Sequence, residues 1–260
     1  MQLKPIKIDI SAYPEEVRPV LIGAKHFDSS CSPNAKVIYI DKDNGYFLKS
    51  APKGKLERET TMTQYFHSKG LSAKVLAYVS DRSDWLLTEK IHGDDGATAK
   101  YLEQPERLCD MFAEQLLALH RTDCADCPVP NHTELYLLEA KERFAENNFD
   151  RSRITKKGYA SAEEAYHIVE TKGHLLKSDT LIHGDYCLPN VIIRNWKFAG
   201  FIDLELSGVG DRHRDIFAAM TTFGINFKTD KYNDRFKDAY GRDKVDEDML
   251  RLVAAVEVFG

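Results

Sequence analysis

Hydrophobic positions over the first 90 residues fall in short apolar or alternating runs, and these predict strands. Val37-Ile-Tyr-Ile40 and Tyr46-Phe-Leu-Lys49 are apolar, aromatic and β-branched, with Asp43-Asn44-Gly45 between them. Asn-Gly between two such runs predicts a hairpin in which both turn positions take φ > 0. A polar stretch, Ser50 to Lys55, leads to a predicted helix over residues 56–68 that ends at Gly70. Two more strand-like runs follow at 74–79 and 85–88. From Glu89 to Ala99 the pattern breaks. Gly93, Asp94, Asp95 and Gly96 cluster there, which predicts a loop or linker, with His92-Gly-Asp-Asp95 as a hinge turn.

Beyond this break the period becomes helical. Over residues 105–120, Leu108, Met111, Phe112, Leu116 and Leu119 recur at three- and four-residue steps and form one apolar face. Ser161-Ala-Glu-Glu164 has the spacing of a capping box and opens a helix that stops near Gly173. A short hairpin, Val191-Ile-Ile193 with Phe198-Ala-Gly-Phe-Ile202, interrupts the helices at a tight turn over Asn195-Trp196-Lys197. The last stretch, Asp246 to Phe259, places Met249, Leu250, Val253, Val256 and Phe259 along one helical face. The pattern predicts an α+β chain with a small N-terminal β-rich lobe over 1–90 and a larger, mainly helical lobe over 91–260.

Composition narrows the classes. At 260 residues the chain suits one large or two small domains, and 43% hydrophobic residues suffice for a buried core. Lys and Arg number 36 against 41 Asp and Glu, a net charge of −5, which speaks against a nucleic-acid binder. No apolar run approaches the ~20 residues of a membrane span, and the N-terminus has no signal-peptide core. Five cysteines, Cys31, Cys109, Cys124, Cys127 and Cys187, are an odd number and read as reduced thiols in a cytoplasmic protein. Cys124-Ala-Asp-Cys127 has no second pair to complete a zinc site and lacks a βαβ context for redox chemistry.

One window concentrates the chemistry: His183-Gly-Asp185-Tyr-Cys-Leu-Pro-Asn190, followed by the hairpin and then Phe201-Ile-Asp203. The hairpin brings Asn190 and Asp203 to one end of a two-stranded ribbon. An amide and a carboxylate there suit Mg²⁺, which takes one or two carboxylates together with substrate phosphates. A further carboxylate, Asp185, can orient a hydroxyl and take its proton. Upstream, Lys49 ends a strand and Glu59 lies on the next predicted helix, the pair that phosphoryl transfer uses to hold the α- and β-phosphates. Glu57 competes for the second role.

Asp-x4-Asn, a hairpin and then Asp is the spacing of the catalytic and metal segments of protein kinases. His-Gly-Asp in place of His-Arg-Asp, and Asp203 without a following Phe-Gly, resemble instead the aminoglycoside phosphotransferase family, nearest its 3′-phosphotransferase branch. Ser207-Gly-Val-Gly-Asp211-Arg-His-Arg-Asp215-Ile is similar to that family's next block, and Leu119-His120 with Cys127-Pro128 adds to the likeness, which runs with gaps from about Ser30 to Phe259. The resemblance implies a two-lobe protein-kinase-like fold with ATP, or alternatively GTP, and Mg²⁺ bound between the lobes. It implies transfer of the γ-phosphoryl group to a hydroxyl of a small molecule, an aminoglycoside first, and so antibiotic resistance. Asp185 becomes the base and Asn190 and Asp203 the metal ligands. Lys49 and Glu59 become the phosphate-positioning pair, with Glu59 favoured over Glu57 by the family's Glu-Arg-Glu pattern. Ser32, in the Ser-Pro loop of Ser30–Ala35, falls on the phosphates, and the backbone of Glu89 and Ile91 on the adenine edge. Asp211 and Asp215 brace the catalytic loop or cap a helix. A chain of this kind acts as a monomer or weak dimer, without nucleic-acid or membrane partners.

On the acceptor side, Glu257 matches an acid of the family's acidic-aromatic ending, while Val256 stands where a second acid is common. Arg151-Ser-Arg153-Ile-Thr-Lys156-Lys157 is basic where relatives are acidic, and Leu206 replaces a frequent arginine. These departures leave open another hydroxyl acceptor, such as a different antibiotic, a sugar amine or a choline-like compound. A nucleotide-binding pseudokinase is a further alternative, against which the five intact residues Lys49, Glu59, Asp185, Asn190 and Asp203 speak. A metal-dependent hydrolase would leave Lys49 without a role.

Overall fold

The alternating runs fold as one antiparallel sheet. The structure, a computed structural model, describes residues 3–31 and 35–260. Strand β1 (Lys4–Ile6) and the one-turn helix α1 (Arg18–Leu21) precede β2 (Lys25–Asp28), β3 (Lys36–Asp41) and β4 (Tyr46–Pro52). Helix α2 (Glu57–Ser68) then leads to β5 (Val75–Ser80), β6 (Ser83–Glu89) and the two-residue β7 (Asp94–Asp95). The sheet order is β1-β2-β3-β4-β6-β5, which makes β4, the strand of Lys49, an interior one. One face buries Ile38, Ile40, Leu48 and Leu87 against Tyr13, Val17 and Leu21, so side-chain alternation fixes which residues of β4 face away from that core.

The β3–β4 hairpin forms, but not with the tight two-residue turn expected at Asn44-Gly45. Asp41 still pairs with Lys25 of β2, so β3 runs on and the loop spans four residues. The Gly45 N–H closes it on the Lys42 carbonyl at 2.8 Å. Positive φ falls on Asp43 and Gly45. The second hairpin does take the tight form: both Asn195 and Trp196 have positive φ, at 53° and 60°, as a two-residue turn matched to strand twist requires.

After Thr98 the chain builds α3 (Ala99–Leu102), α4 (Pro105–His120), α5 (His132–Ala145), α6 (Ser152–Lys156), α7 (Ala162–Lys172) and β8 (Thr180–Ile182). Strands β9 (Val191–Arg194) and β10 (Lys197–Phe201) follow, then β11 (Gly208–Gly210), α8 (Arg212–Phe227), α9 (Asn233–Tyr240) and α10 (Glu247–Val256). Packing groups residues up to Thr98 with Pro189–Leu206, and Ala99–Leu188 with Ser207–Gly260. The division thus falls eight residues beyond the expected residue 90, and the β9–β10 ribbon belongs with the first unit. Backbone contacts hold it there. Asp94 and Asp95 pair with Ile193 and Ile192 as a third strand, and Phe201 N–H donates to the Leu71 carbonyl at 2.8 Å. The second half of the segment read as a hinge turn is therefore a strand, and Gly93 makes its approach possible. A Cβ there would stand 2.5 Å from the Ile193 carbonyl oxygen.

In the second unit α4 buries Leu108, Phe112, Leu116 and Leu119 as its spacing predicts. Ser161 caps α7, accepting from Glu164 N–H at 3.1 Å, while the Glu164 carboxylate accepts from Ala160 N–H at 2.7 Å. The glutamate reaches one residue further back than a standard capping box does. Tyr136, Ala165, Val169, Val256 and Phe259 pack into one core that joins α5 and α7 to the C-terminal segment. Asp246 caps α10 by accepting from Asp248 and Met249 N–H. The five cysteines are free thiols. Among the described residues no helix is long and apolar enough to cross a membrane.

Candidate active site

Lys49 sits on interior strand β4, where its neighbours are Val37 and Leu86. Its ammonium donates to Glu59 Oε2 at 2.7 Å and to Asp203 Oδ1 at 2.9 Å. Glu59 lies in the first turn of α2 and is buried, whereas half of the Asp203 side chain is exposed. Burial opposes charge on Lys49, but the Glu59 and Asp203 carboxylates outweigh it and hold the ammonium well above its ordinary value. The lysine is therefore a fixed cation. Burial pushes the Glu59 carboxyl up, Lys49 opposing. Glu57, the competing acid, is exposed on the same turn. Sequence reasoning missed the residue that aims this turn. Asp84 of β6, fully buried, accepts from Leu56 N–H at 2.9 Å and from Ser80 Oγ at 2.7 Å. It ties the α2 N-terminus to the sheet. In sequence Asp84 precedes the apolar run at 85–88 within a polar stretch, so no local signal marked it.

Asn190, 7% exposed, directly precedes β9, and Asp203 lies two residues after β10. Ile202 N–H donates to the Asn190 carbonyl at 3.1 Å, which closes the ribbon at this end. Asp203 holds φ = 61°, a left-handed conformation that aspartate tolerates better than most residues. The Asn190 amide and the half-exposed Asp203 carboxylate, the latter beside the Lys49 ammonium, are hard oxygen donors of the kind Mg²⁺ takes.

Asp185 lies in the second unit, in the loop after β8, partly exposed. Its neighbours are fixed from below. Fully buried Asp215 accepts from His183 N–H at 2.7 Å and from Gly184 N–H at 2.8 Å, and pairs with His120 Nε2 at 3.2 Å. His120 Nδ1 meets the Tyr240 hydroxyl at 2.7 Å. A neutral His120 protonated at Nε2 satisfies both contacts. Asp211 caps α8, taking His213 N–H, His213 Nδ1 and Lys177 N–H. Both aspartates thus brace the loop or cap a helix, as the sequence suggests.

This buried pair sets a pH dependence. Burial holds the His120 imidazole below the ordinary histidine value. Burial works against the Asp215 charge too, but hydrogen bonds from His120 and the His183 backbone hold its carboxyl below the ordinary range. A depressed folded-state value gives stability that is complete above the unfolded value and is lost as pH falls. The His120 share should therefore fade below about pH 6.5 and the Asp215 share below about pH 4. Thermal melts are expected to show a lower Tm at pH 5.5 than at pH 7.5. A His120→Gln variant, less stable at pH 7.5, should show a flatter profile across that range.

Glu257 follows α10 with its carboxylate accepting from the Tyr136 hydroxyl at 2.7 Å. Burial and the Glu257 charge push the Tyr136 phenol well above its usual value, so it stays a donor. The basic stretch at 151–157 forms α6, with Asp150 turned to Ser152 N–H at its start. Arg153 donates to the Glu257 carbonyl at 3.3 Å. The Lys157 ammonium lies 4.4 Å from the Phe217 ring centre, and burial lowers its pKa while Glu257 opposes. The structure thus brings Glu257 and the basic stretch together. In the first unit Glu89 and Ile91 border a cavity of about 590 Å³ that also meets Ser72, Lys74, Lys197 and Phe198. Lys49, Glu59, Asn190 and Asp203 do not line it. Ser32 lies outside the described residues.

A strand lysine locked to a helix glutamate, an Asp-x4-Asn loop braced from a following helix, and a ribbon ending in aspartate define a phosphotransferase of protein-kinase-like fold. The model of the phosphotransferase enzyme family matches residues 29–252, and the chain belongs to that family. It is 48% identical over 259 residues, 99% of each chain, to the "Probable aminoglycoside 3'-phosphotransferase" of Lactococcus lactis subsp. lactis. Among solved structures it resembles an aminoglycoside-3'-phosphotransferase of type VIII, with a TM-score of 0.76 over 96% of each chain at 21% identity. It also resembles the aminoglycoside phosphotransferase APH(3'')-Id of Streptomyces rimosus in complex with ADP and streptomycin. That match has a TM-score of 0.72 at 19% identity over 86% of this chain and 90% of the other.

Proposed function

We propose that this chain transfers the γ-phosphoryl group of ATP to a hydroxyl of an aminoglycoside, the 3′-hydroxyl first. The observation that carries the reading is the Lys49 ammonium held at 2.7 Å from Glu59 and 2.9 Å from Asp203. It is supported by the whole-length relative named for 3′-phosphotransfer and by the structural neighbour bound to ADP and streptomycin.

In this reading Lys49, held by Glu59, moves its free donors onto the α- and β-phosphates. Asn190 and Asp203 would hold Mg²⁺, and a cation bound there would supply positive charge to offset the charge of the departing phosphoryl group. Asp185 accepts the acceptor's hydroxyl proton as that oxygen bonds to the γ-phosphorus. The bond from γ-phosphorus to the β,γ-bridging oxygen breaks, and its electron pair stays on ADP. Glu89 and Ile91 offer backbone groups to the adenine edge, and Glu257 attracts an acceptor ammonium.

The test is an acceptor panel with labelled ATP, comparing aminoglycosides that carry a 3′-hydroxyl, aminoglycosides that lack it, and unrelated hydroxyl compounds. Label should pass only to the first group. A second reading, an acceptor of lower positive charge, is favoured by Arg153 and Lys157 beside Glu257, and label on an uncharged alcohol alone would establish it. Under the first reading Glu257→Gln is expected to raise the aminoglycoside KM several-fold and leave the ATP KM unchanged. Lys157→Glu should lower it, an effect that weakens with added salt. Lys156, exposed and bonded to Ser152 Oγ at 3.0 Å, should matter less. Steady-state kinetics at two ionic strengths reads all three.

A further inference from the structure

Arg214, on the first turn of α8, is 9% exposed and bridges the catalytic loop to α5. Its Nε donates to the Gly184 carbonyl at 2.8 Å, the residue immediately before Asp185. Nη1 meets His132 Nε2 at 2.9 Å, and the guanidinium carbon lies 4.0 Å from the centre of the Tyr136 ring. The Tyr136 hydroxyl in turn donates to Glu257. A buried arginine keeps its charge, so it must be compensated where it stands. Here a carbonyl dipole, an imidazole nitrogen and an aromatic face do so, with the Glu257 carboxylate one hydroxyl further on.

Gly184 takes φ = 85°. Its N–H is held by Asp215 and its carbonyl by Arg214, so both sides of the peptide chain entering Asp185 are clamped. Asp215 brings no connection to the acceptor acid, whereas Arg214 does through Tyr136.

We propose that Arg214 is a positioning residue for phosphoryl transfer, fixing the aim of Asp185 through the Gly184 carbonyl and coupling that aim, through Tyr136, to Glu257. The proposal rests on the phosphotransferase reading above. It makes Tyr136 more than core: its ring supports the guanidinium and its hydroxyl orients the carboxylate.

A double-mutant cycle of Arg214→Met and Tyr136→Phe tests this, with kcat and both KM values measured for aminoglycoside phosphorylation and for intrinsic ATP hydrolysis. Arg214→Met should lower kcat roughly 10–100-fold, the scale of a misplaced catalytic group, and leave the ATP KM unchanged. Tyr136→Phe should lower kcat by about threefold in the wild-type background and cause no further loss beside Arg214→Met. Should Arg214→Met fail to fold, Arg214→Lys keeps the cation over Tyr136 without the planar fork and completes the cycle, with a several-fold loss of kcat. Unchanged kcat in the folded arginine variant, or losses that simply multiply, would overturn the coupling. An enzyme that hydrolyses ATP but phosphorylates no aminoglycoside refutes the acceptor assignment alone, and the Arg214 effect is then read on hydrolysis. One that does neither overturns both.

Discussion

Asp185→Asn is expected to lower turnover roughly 10²–10⁴-fold, the range for loss of a general base. The substitution keeps the side-chain shape and leaves intact the clamps on this loop, since Asp215 binds the His183 and Gly184 backbone rather than the Asp185 carboxylate. Asparagine can still orient a hydroxyl but cannot take its proton. On the proposed reading nucleotide binding falls to Lys49 and Asp203 rather than Asp185, so the ATP·Mg²⁺ affinity should be unchanged. Isothermal titration with a non-hydrolysable nucleotide, paired with single-turnover kinetics, separates the two. Turnover near that of the unmodified enzyme would show that another group accepts the proton.

Asp203→Ala should be as damaging by a different route. On the proposed reading it removes a metal ligand, and it takes away one of the two carboxylates on Lys49, leaving the ammonium with Glu59 alone. Activity should be lost, with acceptor affinity little changed and only partial recovery at high Mg²⁺. Half of the Asp203 side chain is exposed, so the fold should tolerate the change, and Tm should shift by no more than a degree or two. The left-handed φ of 61° at this position makes Asp203→Asn a useful companion, because asparagine adopts that conformation readily. It keeps an oxygen donor and loses the charge. A variant that bound Mg²⁺·nucleotide normally would contradict the assigned role.

The residues of the proposed site stand out in the sequence because their signals are local. Asp185, Asn190 and Asp203 fall within nineteen positions, joined by a hairpin whose turn residues announce themselves. Lys49 and Glu59 needed only a strand followed by a helix. The Lys49–Glu59 contact follows from that order, yet what aims α2 does not, because Asp84 acts across 28 positions. Gly93 reads in sequence as a flexible break. Its role, letting β7 lie against Ile193, depends on a partner a hundred residues away. That same pairing moved the β9–β10 ribbon into the first unit, where helical surroundings in sequence had suggested otherwise. Arg214 lay within a block the sequence singled out and Tyr136 in a helix it did not, and neither carries a local mark. A buried arginine can be recognised only from the groups around it. The Asn44-Gly45 turn failed for a related reason, since strand β2 extends β3 past the point where a two-residue turn could close.

The account stands most directly on one measurement: rapid-quench analysis of γ-labelled ATP mixed with enzyme, Mg²⁺ and an aminoglycoside that carries a 3′-hydroxyl. Label should appear on the aminoglycoside in step with ADP formation, with none retained on the protein, and should slow with Asp185→Asn. Label found only as inorganic phosphate, or remaining in ATP, would contradict it.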